Sequence, residues 1–161
     1  MIQPLLARIA KGEGARYDTT FANGKYEPVG SKKLTDMTLG EVKQLQKTMI
    51  YNGSMSSAVG RYQFIKKTLE EVQREMRLPD SQKFNAETQD AMITHRLLKT
   101  RGLDSWLHGI ISNVQFQLNL SKEFASIANP YTGHSYYGQR TGTTTDQIQK
   151  ALKEIKDDKD L

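Results

Sequence analysis

The chain has 161 residues, a formal net charge of +5 and no cysteine, which excludes disulfides and thiol catalysis. Hydrophobic residues at 37% and charged residues at 25% suit a globular chain with a core of its own, and no apolar run nears the roughly 20 residues a membrane helix needs. His95, His108 and His134 stand too far apart for a metal-ligand motif, so neither a metal nor another cofactor is expected.

Residues 4–11 place Leu5, Leu6, Ile9 and Ala10 at helical spacing, predicting a short amphipathic helix that stops near Gly12 and Gly14. The segment 1–11 lacks a basic leader and does not read as a signal peptide. Residues 18–33 favour extended structure through Thr19, Thr20, Phe21, Tyr26 and Val29, and Asn23-Gly24 is a hairpin dipeptide. A small irregular β-hairpin is expected there.

Thr38 and Glu41 have capping-box spacing, opening a helix that carries Val42, Leu45, Met49 and Ile50 inward to about Tyr51. The Asn-, Gly- and Ser-rich residues 52–60 form a loop. The next helix is expected from Tyr62 or Gln63 to about Arg77, with Phe64, Ile65, Leu69, Val72 and Met76 inward, broken by Leu78-Pro79-Asp80.

Asn85 reads as the N-cap of a helix to about Thr100, ended by Gly102. A short helical piece covers residues 103–108. Ser112 then caps a helix to about Ala128 carrying Val114, Leu118, Phe124 and Ile127. Residues 131–143 are rich in Gly and Tyr without helical period. Thr144 or Thr145 opens a last helix to about Lys156, followed by a frayed tail at 157–161. One mostly helical domain over residues 1–161 is expected.

The residue best suited to chemistry is Glu13. Placed after an apolar helix face and between two glycines, its carboxyl suits a proton donor that must stay protonated near neutral pH. Ser57, Ala58 and Gly60 allow close backbone approach by a polymer, and Gln63 offers an amide donor and an acceptor to sugar groups. Tyrosines suit pyranose faces because a flat apolar ring carries a polar tip. The basic residues are dispersed, with no helix-turn-helix spacing, so no nucleic-acid partner is expected. Lys32-Lys33 and Lys66-Lys67 read as solvated faces that also suit an anionic surface.

Several elements recur in a telling order: Gly12-Glu13-Gly14, then Gly60-Arg61-Tyr62-Gln63, then Thr88-Gln89-Asp90-Ala91 ending at Arg101-Gly102, and finally Ala125-Ser126 with Tyr137-Gly138-Gln139. In this order the chain resembles the lambda-type bacteriophage endolysins, which are lytic transglycosylases of the lysozyme-like superfamily. The resemblance spans roughly residues 1–155 and departs from the family pattern at Gly12, where those enzymes carry a serine before the glutamate. Residues 15–55 match poorly.

The resemblance implies a mainly α (α+β lysozyme-like) fold, a helical domain with a small β-hairpin flanking the active-site cleft. It implies Glu13 as the catalytic acid/base. Ser57, Gly60, Tyr62, Gln63, Tyr131, Tyr136, Tyr137 and Gln139 are implied as substrate-binding residues. The expected partner is the glycan strand of peptidoglycan, handled by a monomer without membrane insertion, in the periplasm of a Gram-negative-type host. A hydrolytic muramidase would need a second carboxylate, for which Asp18, Glu27, Asp36 and Glu41 are candidates. A catalytically dead glycan-binding module is a third reading.

Overall fold

The computed structural model describes residues 2–137 and 142–159, with side chains as far as Asp157. Among them are seven α-helices: α1 (Gln3–Glu13), α2 (Leu39–Tyr51), α3 (Lys66–Glu75), α4 (Ala86–Thr100), α5 (Leu103–Leu107), α6 (Asn113–Glu123) and α7 (Thr145–Lys159). The expectation of a mainly helical protein holds. The chain forms two compact units, one of residues 1–14 and 96–161, the other of residues 15–95.

The first unit is built on α1 and α7. Leu5, Leu6, Ile9 and Ala10 of α1 are buried, as are Ile148, Ala151, Leu152 and Ile155 of α7, and the two helices pack together. Trp106 of α5 stacks on Phe116 of α6 at 4.7 Å between ring centres, with its indole N–H donating to Asn113 Oδ1 at 2.8 Å. Thr144 and Gln147 cap α7 reciprocally: the Gln147 amide donates to Thr144 Oγ1 and the Thr144 amide to Gln147 Oε1. The helix runs on to Lys159, past the end expected at about Lys156.

Two expectations for α6 change. Its N-cap is Ser112, whose Oγ accepts from the Gln115 amide at 3.0 Å, but the helix ends at Glu123 instead of Ala128. Beyond it, residues 126–128 pair with Thr143: the Thr143 amide donates to Ser126 O at 2.9 Å and the Ala128 amide to Thr143 O at 3.2 Å. Those tertiary partners displace the last helical turn. The buried face is Phe116, Gln117, Leu120 and Ser121, and Val114 is exposed.

The second unit gathers Leu34, Leu39, Val42, Met49, Val59, Phe64, Leu69, Val72 and Phe84 into its core. The capping box of α2 forms with both bonds in place, Glu41 N to Thr38 Oγ1 at 3.2 Å and Thr38 N to Glu41 Oε1 at 3.1 Å. Helix α3 begins at Lys66, later than expected, because Gln63 takes a left-handed φ of 53° and Phe64 bridges to Val59. Ile65 is left exposed just before the helix.

The hairpin expected over residues 18–33 is not formed. Ala22 and Asn23 adopt left-handed φ of 58° and 53°, and a 3₁₀ turn spans Phe21–Gly24. Successive turns pair Asn23 N with Thr20 O, Lys25 N with Ala22 O and Glu27 N with Gly24 O, so these backbone groups are satisfied locally. Pro28 has no N–H to offer a ladder. Thr20 instead makes an isolated antiparallel bridge to Val59.

Candidate functional site

Glu13 is the last residue of α1. Gly14 follows in the left-handed conformation, φ 64°, and its N–H closes the helix on the carbonyls of Ala10 and Lys11. The Glu13 carboxyl is half-buried, and the buried Ser126 hydroxyl donates to its Oε1 at 2.9 Å. Burial pushes the carboxyl above its ordinary value, and the Ser126 hydrogen bond opposes part of that rise. The negative end of the α1 dipole acts in the same direction as burial. The result is a group biased toward the neutral, proton-carrying form.

Gly12 makes this arrangement possible. A Cβ at position 12 would collide with Thr143 Oγ1 and lie 3.2 Å from Ser126 Oγ. A Cβ at Gly142 would fall on the carbonyl of Gly12. The two bare backbones therefore approach as closely as atoms allow, carrying Ser126 and Thr143 to the end of α1. Thr143 is 1% exposed, and its Oγ1 has no hydrogen-bond partner among the described residues.

A second cluster lies in the unit of residues 15–95. Gly60, φ 82°, passes so close to Gln89 and Phe84 that a Cβ there would meet Gln89 Oε1 at 2.6 Å. Gln89 accepts from the Arg61 amide at 2.9 Å and donates to Tyr17 O and Phe84 O. Tyr62 and Tyr17 both donate their hydroxyls to Asp90. The Arg61 guanidinium lies over both rings, 5.0 Å from the centre of Tyr17 and 5.6 Å from that of Tyr62.

Tyr62 is only 2% exposed, so its position suits holding this loop rather than touching a polymer. Gly60 is likewise buried. Ser57 is half-buried, and its Oγ accepts from the Lys66 amide at 2.9 Å at the start of α3. Gln63 is half-buried, with Nε2 donating to Gly60 O at 2.9 Å, a bond that helps hold its uncommon backbone conformation.

The late tyrosines are open. Tyr131, Tyr136 and Tyr137 are all exposed. Tyr136 and Tyr137 meet edge to face at 5.2 Å between centres, the Lys122 ammonium sits over Tyr136, and the Tyr137 hydroxyl donates to Lys122 O. Such rings can offer flat faces to a sugar. Gln139 lies outside the described residues.

The recurring elements thus meet in pairs: the Glu13 element with Ser126, and the Gly60–Gln63 element with Gln89 and Asp90. Ser126, Asp90, Gln89, Tyr17 and Thr143 received no role from sequence reasoning. For Ser126, Gln89 and Asp90 the signal was their membership of the ordered elements. Tyr17 and Thr143 carried none.

No group of three or more His, Cys, Asp or Glu placed to hold a metal occurs among the described residues, and none of their helices is long and apolar enough to cross a membrane. A half-buried carboxyl whose pKa is raised can serve as a proton donor. The Endolysin family model matches residues 3–156, and the chain belongs to that family of phage enzymes that degrade the bacterial cell wall. No curated protein and no solved structure matches it significantly.

Proposed function

We propose that this endolysin is a lytic transglycosylase that cuts the β-1,4 bond between N-acetylmuramic acid and N-acetylglucosamine, with Glu13 as its acid/base. The observation that carries the reading is the Glu13 carboxyl itself: half-buried, raised in pKa, and hydrogen-bonded by one neutral hydroxyl. In the first step Glu13 gives its proton to the glycosidic oxygen as the bond to C1 breaks. The resulting carboxylate then takes the proton of the muramic C6 hydroxyl, whose oxygen closes onto C1 as a 1,6-anhydro ring. The tethered hydroxyl gains the entropic advantage of an intramolecular nucleophile.

A muramidase of the same family would need a second free carboxylate. Two of the candidates already have structural duties. Glu41 belongs to the capping box and pairs with Lys32 at 2.8 Å, and Asp18 Oδ1 accepts from the Thr35 amide at 2.9 Å. Glu27 and Asp36 are the candidates left for the muramidase route, and the products of digestion decide between the two reactions.

Tyr131, Tyr136, Tyr137 and Gln63 are proposed sugar contacts, together with Gln139. Ser57, Gly60 and Tyr62 are proposed to shape the loop that presents Gln63. The chain is proposed to work as a single monomeric catalytic domain against a Gram-negative-type wall from the periplasmic side. Digestion of purified peptidoglycan followed by mass spectrometry tests the reaction: anhydro ends are expected, and reducing muramic ends would instead assign a muramidase. Glu13→Gln is expected to lose at least about a hundredfold in kcat, the range of general-acid catalysis. Parent-like cleavage by that variant would remove Glu13 from its role.

A further inference from the structure

We propose that Ser126 is a positioning residue for Glu13: its hydroxyl holds Oε1, so that Oε2 is the oxygen that delivers and recovers the catalytic proton. The inference rests on the catalytic reading of Glu13 and deepens it.

Three features of the unit of residues 1–14 and 96–161 support the assignment. First, the contact is one-sided. Ser126 Oγ donates to Oε1 at 2.9 Å, and among the described residues no other hydrogen bond and no ion pair reaches the carboxyl. A donor on Oε1 matches the carbonyl-like oxygen of the neutral acid, leaving the proton on Oε2. After transfer the same bond becomes charge-assisted and stronger, so the carboxylate keeps its orientation for the return step.

Second, Ser126 is itself held. Its carbonyl accepts from the Thr143 amide, and Ile127 forms a parallel bridge to Thr143. A hydroxyl on so constrained a backbone places a carboxyl better than one on a free loop.

Third, the surroundings make room for this contact at a cost. Gly12 must lack a side chain, and the buried Thr143 Oγ1 goes without a partner among the described residues. An unsatisfied buried hydroxyl is expensive, and such costs collect at functional sites. With Ser126 and Thr143 occupying the space beside Gly12, a hydroxyl reaches Glu13 from a segment 113 residues away in sequence.

The test uses the full chain with Ser126→Ala and Ser126→Thr. With purified peptidoglycan, Ser126→Ala is expected to lower kcat about tenfold or more while KM stays within about twofold, and Ser126→Thr to recover most of the rate. Without substrate, carbon-13 NMR of the Glu13 carboxyl is expected to titrate higher in Ser126→Ala, because a bond that favours the carboxylate is gone. An unmoved titration, or a parent-like kcat in Ser126→Ala, would overturn the inference. If Glu13→Gln is inactive while Ser126→Ala behaves as the parent, the inference fails alone. If Glu13→Gln is active, the catalytic reading fails and takes the inference with it.

Discussion

Glu13 illustrates how its surroundings set the protonation of a single side chain. At the end of α1, burial raises the pKa of its carboxyl by more than the Ser126 hydroxyl lowers it. That bias has a thermodynamic consequence. Below the ordinary value of 4.5 the carboxyl is protonated in both folded and unfolded chains and costs nothing. Between 4.5 and its raised value the penalty grows, and above that value it is complete. Glu13→Gln, which keeps the Oε1 acceptor for Ser126, is therefore expected to melt at a higher temperature than the parent at about pH 8. The two should melt together near about pH 4. Thermal unfolding followed by circular dichroism at both pH values measures the difference. Equal melting at both would mean that Glu13 is solvated in the folded chain.

The decisive feature among the elements is the approach of α1 to the segment at Gly142 and Thr143. Helix propensity favours alanine over glycine by roughly 1 kcal/mol, so Gly12→Ala would stabilise an isolated helix. Here the new methyl meets Thr143 Oγ1, and overpacking of this kind costs about 1–3 kcal/mol. Gly12→Ala is expected to lower stability in urea, and Gly12→Ala with Thr143→Ala to regain a good part of it. Gly142→Ala has no such remedy, because its methyl meets the backbone carbonyl of Gly12. Other elements depend only on their own residues. The capping box Thr38–Glu41 and the helix stop near Gly12 and Gly14 were legible because each acts within four residues. The hairpin was misjudged for the converse reason. Asn23-Gly24 does turn the chain, but Thr20 finds its extended partner at Val59, far along the sequence.

For the molecule as a whole, the net charge of +5 adds a sequence-independent attraction to an anionic wall. Such attraction is screened as the Debye length shrinks from about 10 Å at ~0.1 M salt to about 3 Å at ~1 M. On intact peptidoglycan KM is expected to rise over that range while kcat holds. A KM independent of salt would leave the lysines as plain solvated surface.

The mostly helical class, the approximate helix positions and the caps at Thr38 and Ser112 followed from residue types at short spacing, since propensity and periodicity are local properties of the chain; the ordered elements followed from a resemblance to the endolysins. The partners of those elements did not follow. That Ser126 meets Glu13, that Asp90 receives two tyrosine hydroxyls, that α6 stops at Glu123 and that Tyr62 is buried rather than presented to solvent all depend on contacts between residues far apart in sequence. Only packing selects among the many pairings that a one-dimensional pattern permits, because each pairing must fit sterically and satisfy its buried polar groups at once.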